Sequence, residues 1–201
     1  MWNICFFKKM INQNIILFFL NIFDELHKKK IIKFLKKKKD KIDIFFDVGA
    51  HNGESIKTFL RSFSINKIYS FEASKENFQK FKKKIGKIIH NYNTILISEN
   101  IALSSESKII SFKQFRESSS STFTKINEKS NYYKKKIKIL NFFFKEKNFK
   151  ETKIKTINLE SYILKNNIKK IDLLKIDTEG HEFEILKGLN NQIKNVELIL
   201  F

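Results

Sequence analysis

The stretch from Ile42 to Val48 is short, apolar and rich in β-branched residues, and it runs straight into Gly49-Ala50-His51-Asn52-Gly53. A run of this kind reads as a buried strand ending in a tight turn. Past the turn, Ile56, Phe59, Leu60 and Phe63 recur at helical spacing, which predicts a helix from Glu54 to Phe63. A second strand, Lys67 to Phe71, ends at Glu72. Ser74 then stands as a helix N-cap, with Asn77 where a full capping box has Glu. That helix runs to about Lys84, buries Phe78, Phe81 and Ile85, and is expected to stop at Gly86. Strand–helix–strand–helix opens a parallel, doubly wound sheet, so the class is α/β with a Rossmann-like arrangement. A chain of 201 residues has room for one such domain and not for two of full size.

Further on the pattern is less regular. Thr94 to Ile97 and Lys108 to Phe112 read as strands on either side of Asn100-Ile101-Ala102-Leu103-Ser104. The four serines Ser118 to Ser121 suggest a loop, and the Lys- and Phe-rich stretch from Lys134 to Lys150 supports no assignment. Leu159 to Leu164 predicts a short helix. Ile171 to Ile176 predicts another buried strand, ending in Asp177-Thr178-Glu179-Gly180. A helix from His181 to about Leu189 and a last strand, Val196 to Phe201, complete the reading. The boundaries expected are a basic and apolar helical segment over residues 1–41 and the α/β domain over 42–201.

Forty Lys and Arg against twenty-one Asp and Glu give a formal charge of +19. A nucleic acid, an anionic lipid or an acidic substrate would account for it. A coding bias accounts for it better: Lys, Asn, Ile and Phe crowd the whole chain, there is no Pro, and Lys follows no single face. Arg, the better fork for phosphate, is scarce, so the charge does not call for nucleic acid. Cys5 is the only cysteine, which excludes an internal disulfide or a cysteine-based zinc site and suits the cytoplasm. The apolar run from Ile11 to Phe23 is interrupted by Asn12, Gln13, Asn14 and Asn21 and is too short to span a bilayer. It is expected to be an amphipathic helix covering one end of the domain, with peripheral membrane contact through a basic face as the alternative.

Open α/β sheets bind ligands outside the carboxyl ends of their strands, where the strand order reverses. Three strands here end in acidic or glycine-rich tips: at Asp47-Val48-Gly49, at Glu72, and at Asp177-Thr178-Glu179-Gly180. Gly49 would let a ligand approach the backbone closely, and Gly53 would open the helix. With His51 at the middle position the turn is not GxGxxG, which argues against a pyrophosphate pressed onto it. Glu72 lies roughly 20 residues beyond the turn, where a carboxylate accepts hydrogen bonds from the hydroxyls of a ribose. Asp177, Glu179 and His181 are the candidates for acid–base work, and His181 has the side chain suited to neutral pH. Two carboxylates and an imidazole also invite a metal reading. Because Gly180 is expected to turn the chain before the three converge, no metal is expected.

Taken together, these residues resemble the FkbM family of methyltransferases. The matching segments are Phe46-Asp47-Val48-Gly49-Ala50-His51-Asn52-Gly53, Phe71-Glu72, Asn100-Ile101-Ala102-Leu103-Ser104, Thr156-Ile157-Asn158-Leu159-Glu160, and Asp172 through Glu182. Ala73 stands where the family often has Pro, and Glu160 where it often has Asp. The resemblance implies a class I methyltransferase sheet and methyl transfer from S-adenosylmethionine, usually to a hydroxyl of a sugar, glycan or polyketide. It further implies that Asp47, Gly49, Ala50, His51 and Gly53 hold the methionine part and that Glu72 holds the ribose. Asn100 to Ala102 would lie near the adenine, and Asp177 and Glu179 would face the transferred methyl. The family's sheet has two more strands after Val196 to Phe201, so this one is expected to lack them and to leave an apolar edge prone to pairing. Two other classes of function stay open at this point: a non-catalytic remnant that needs a partner, and a basic nucleic-acid-binding protein on the same scaffold.

Overall fold

Strand β1 (Lys41–Val48) alternates between exposed and buried at its start and is wholly buried over its last four residues. Strand β2 (Ser64–Phe71) repeats that pattern, as strands do when they enter a sheet covered on both faces. The computed structural model describes residues 25–115, 149–178 and 180–201, and the chain divides into two units, Met1–Lys41 and Ile42–Phe201. In the first unit residues 25–36 form a helix, α1. Among the described residues no helix is long and apolar enough to cross a membrane. The apolar run 11–23, the serines 118–121 and residues 134–148 lie outside the described residues.

The second unit is built on a five-stranded sheet. Its other strands are β3 (Ile95–Glu99), β7 (Ile171–Ile176) and β8 (Val196–Leu200), and the order is β3-β2-β1-β7-β8. The pairs β2–β3, β1–β7 and β7–β8 are parallel. Helices α2 (Glu54–Ser62), α3 (Lys75–Gly86), α4 (Leu159–Lys165) and α5 (Glu182–Lys187) accompany it. This is the mostly parallel α/β sheet expected. All six residues of β7 are buried, which explains why its sequence shows no polar alternation.

Alternate residues of each strand face opposite sides of the sheet. On one side Phe46, Tyr69 and Phe71 meet Tyr162 of α4, with Phe46–Tyr69 and Phe71–Tyr162 ring centroids each 4.9 Å apart. Val48, Leu174, Ile176, Ile185 and Leu189 continue that core. On the other side Phe45 packs on Phe59 of α2 at 4.9 Å. Full burial of each such ring or aliphatic chain contributes roughly 1.5–3 kcal/mol.

Local chemistry explains most of the helix ends. Ser74 caps α3, its hydroxyl accepting from the amide of Asn77 at 3.3 Å. Asn158 caps α4 in the same way, its side chain accepting from the amide of Ser161 at 2.8 Å. Gly86 is the last residue of α3, but the cap that follows is Lys87 in a right-handed conformation. The chain continues into a 3₁₀ turn at Ile89–Asn91 instead of leaving through a left-handed glycine. Helix α5 is shorter than its periodicity predicts. Gly188 lies so close to the carbonyl of Ser104 that a Cβ there would collide with it. Its own carbonyl accepts from the amide of Glu160 at 2.9 Å, and a 3₁₀ segment, Asn190–Asn195, follows.

A second sheet was not expected from the sequence. Strands β4 (Ala102–Leu103), β6 (Phe149–Ile157) and β5 (Ile109–Phe115) lie in that order. The pair β5–β6 is antiparallel from Ile109 opposite Lys155 to Phe115 opposite Phe149. In β6, exposed Lys153 and Lys155 alternate with Ile154 and buried Thr156, a period of two that the abundance of lysine hides in the sequence.

Candidate functional site

The sheet order places the reversal between β1 and β7: the chain passes from β1 to β2 and β3 on one side, then returns to β7 on the other. Side chains and turns at the carboxyl ends of these strands therefore border the crevice in which such sheets take ligands. The tips are fastened to one another by main-chain bonds. The amides of Gly49 and Ala50 donate to the carbonyl of Phe71 at 3.0 and 3.1 Å, and the amide of Asp177 donates to that of Val48 at 3.0 Å.

The turn after β1 is left-handed at Gly49 (φ 79), His51 (φ 47) and Gly53 (φ 78). Gly49 must lack a side chain because a Cβ would run into the carbonyl of Asp177. Gly53 caps α2, and a Cβ there would meet Ile85 of α3. Its requirement for glycine thus comes from packing between helices added to its left-handed φ. Ala50 is buried. His51 is half-buried; burial lowers its pKa, with Glu54 and Asp177 acting against the shift and Lys84 and Lys80 adding to it.

Glu72 follows β2 and is 7% exposed. Its Oε2 accepts from the amide of His51 at 2.8 Å and its Oε1 from the amide of Ser74 at 2.9 Å. Burial raises its pKa, and those two amides oppose the rise. The side chain of Asn77 also bonds this carboxylate, and with about four acceptor positions it keeps capacity for a hydroxyl donor. Asn100 donates from Nδ2 to the carbonyl of Glu72 at 2.8 Å and to that of Ala73 at 3.2 Å. It ties the end of β3 to the end of β2. Ala102 is buried in β4, opposite Thr156.

Asp47 is 0% exposed. It lies across the ladder from Lys175, whose Nζ is 3.2 Å from Asp47 Oδ1 and 3.4 Å from Asp177 Oδ2. The side chain of Asp177 is 65% exposed and that of Lys175 only 10%. Burial works against the charge on Lys175, but the carboxylates of Asp47 and Asp177 outweigh it and hold the ammonium above its usual range. Burial raises the pKa of Asp47, with Lys175 opposing.

His181 caps α5, and its Nε2 is 3.0 Å from the hydroxyl of Ser104, which follows β4. Burial lowers its pKa, against the pull of Glu184 and Glu182. Glu179 lies outside the described residues. Glu182 Oε1 accepts from the amides of Thr178 at 3.0 Å and Gly180 at 3.1 Å. Among the described residues no group of three His, Cys, Asp or Glu side chains is placed to hold a metal ion.

The structure thus joins the β1 turn to Glu72, and Glu72 to Asn100, through direct hydrogen bonds. It places His181 against Ser104 and Asp177 against Lys175. Two contributors escaped the sequence reading. Lys175 had one signal, a lone cation inside an apolar strand. Glu182 had another, a carboxylate in the first turn of a helix behind a glycine.

No curated protein matches this sequence. The crystal structure of methyltransferase FkbM from Methylobacillus flagellatus KT is similar over 77% of this chain and 30% of that one, with 14% identity and a TM-score of 0.45. This chain therefore spans less than a third of that protein's length. The model of the methyltransferase FkbM domain matches residues 47–201, from the buried aspartate of β1 to the end of β8, and the chain belongs to that family.

Proposed function

We propose that this chain is an S-adenosylmethionine-dependent methyltransferase acting on a hydroxyl of a sugar, glycan or polyketide-like small molecule. The observation that carries the reading is the position of Glu72: a buried carboxylate at the tip of β2, bonded to the amide of His51 in the glycine turn. The donor set fits the cofactor. Glu72 offers acceptors for a ribose diol, and the exposed carboxylate of Asp177 at the strand reversal suits a ligand that carries positive charge. The left-handed turn from Gly49 to Gly53 brings main chain, without bulk at Gly49, to the place where an amino-acid tail would lie.

When bound, S-adenosylmethionine supplies an activated methyl group, so the protein's work is alignment and the handling of one proton. Glu72 and Asn100 hold the β1, β2 and β3 tips together around the nucleoside position. Asp177 and His181 are the groups to take the proton of the acceptor hydroxyl. In the tautomer in which Nε2 of His181 donates to Ser104, Nδ1 carries the lone pair needed for that step. A lowered pKa keeps the imidazole neutral at physiological pH and ready to accept. The cytoplasm suits this reading, in keeping with the lone cysteine, Cys5.

Calorimetric titration with S-adenosylhomocysteine tests the cofactor, and transfer of labelled methyl from S-adenosylmethionine to a panel of saccharides and polyketide alcohols tests the acceptor. Saturable one-to-one binding and label on an oxygen are expected. Absence of any binding heat overturns the reading, and salt-sensitive binding to nucleic acid in its place would favour a nucleic-acid-binding role.

A further inference from the structure

We infer that Lys175 is a positioning residue that fixes the two sides of the strand reversal and orients Asp177 for a positively charged ligand. The inference rests on the methyltransferase reading of the same crevice and adds to it a residue that touches neither reactant.

A lysine inside a strand buried at all six positions requires a physical reason. Alternation puts Lys175 on the same face as Leu173, the side of Phe45 and Asp47. Across the ladder from it, the carboxylate of Asp47 is wholly buried, and neither oxygen has a directed hydrogen bond. The ammonium of Lys175, 3.2 Å away, supplies its opposite charge. The same nitrogen reaches the carbonyl of Gly49 at 3.5 Å and the carboxylate of Asp177 at 3.4 Å. One cation therefore touches the penultimate residue of β1, the first residue of the glycine turn and the first residue beyond β7.

Burying such a pair is a poor way to gain stability, because desolvation offsets the attraction. Placement is what the arrangement supplies. Asp177 is mostly exposed, and an exposed carboxylate samples many rotamers unless it is tethered. Lys175 also separates charges: Asp47 and Asp177 repel each other, and Asp47 repels Glu72. The ammonium stands 3.2 Å from Asp47 and 3.4 Å from Asp177, so one positive charge is shared between the two carboxylates. Asp47 is thereby compensated, and the exposed carboxylate of Asp177 is held where it suits a cationic ligand.

The test compares the affinity of the full chain for S-adenosylmethionine and S-adenosylhomocysteine in the wild type, K175M, K175R and the double variant D47N/K175M. The double variant removes the buried carboxylate that K175M would leave uncompensated, and so keeps the test valid if K175M fails to fold. D47N/K175M is expected to keep the wild-type circular dichroism and yet to bind both ligands about ten- to hundredfold more weakly, as for the loss of a charged contact. K175R, which keeps the charge, is expected to recover part of the loss. Faster exchange of the Asp177 amide in ligand-free D47N/K175M is also expected, since its bond to Val48 lies beside the tether. Wild-type affinity and exchange in D47N/K175M would overturn the inference and reduce Lys175 to a counter-charge for Asp47. Failure of the wild type to bind either ligand would instead overturn the cofactor reading, and the positional role with it.

Discussion

The main-chain amide of His51 donates to Oε2 of Glu72 at 2.8 Å, across 21 residues of sequence. The bond couples the glycine turn to the carboxylate, so the shape of one depends on the charge of the other. The second oxygen of Glu72 is held by the amide of Ser74, the residue that caps α3. A single side chain thus joins the turn after β1 to the start of the next helix.

Replacing Glu72 should therefore affect binding and local order together. Glu72→Ala is expected to lower affinity for S-adenosylhomocysteine by about 1.5–3 kcal/mol, the scale of a hydrogen bond to a charged group. Glu72→Gln keeps one acceptor oxygen and should fall between. Calorimetry gives both values, and unchanged affinity in Glu72→Ala would remove this residue from the site.

The glycines at the ends of the turn differ in what they avoid. Gly49→Ala forces a Cβ against the carbonyl of Asp177 at a left-handed φ, and it should cost at least about 2–3 kcal/mol with no simple rescue. Gly53→Ala meets Ile85, a side chain, and shortening it in Gly53→Ala/Ile85→Val should recover part of the loss. Urea unfolding of the four proteins, including Ile85→Val alone, measures the coupling. Equal recovery at Gly49 through Ile85→Val would contradict the assignment.

Acid should weaken the fold in two stages. Burial lowers the pKa of His51 and His181 from 6.5. Their stabilising contribution is complete above 6.5 and is lost as pH falls through their folded values, because the unfolded chain takes up the protons first. For Glu182 burial alone would raise the pKa, but the amides of Gly180 and Thr178 outweigh it and the pKa falls below 4.5. Its contribution is present above 4.5 and is lost below the folded value. Glu72, raised by burial, works the other way: its contribution is present below 4.5 and is lost as pH rises through its folded value. The urea midpoint should drop between about pH 7.5 and about pH 5.5, and less so in His181→Gln. Glu182→Gln should flatten the later stage. An unaltered slope in His181→Gln would show that its burial carries no linkage.

Much of this arrangement is legible in the chain because it depends on neighbours in sequence. The apolar run into Gly49, the helical spacing of Ile56, Phe59 and Leu60, and the cap at Ser74 report local geometry, and the structure follows them within a few residues. The second sheet is less legible because β4 has two residues and β6 is laden with lysine. The strand periodicity of β6 matters only once β5 lies beside it. The end of α5 was misjudged for a related reason: Gly188 meets the carbonyl of Ser104, far away in sequence.

The sequence by itself determined the order of strands and helices in the main sheet, the acidic and glycine-rich tips, and the kinship with FkbM methyltransferases, since each is carried by short contiguous segments. Only the tertiary structure decided which tips touch. Asp47 and Lys175 are 128 positions apart, yet they meet because β7 returns beside β1 and the parallel ladder sets them opposite each other. Pairing across a sheet is chosen by the burial of whole strands, and no local pattern encodes it.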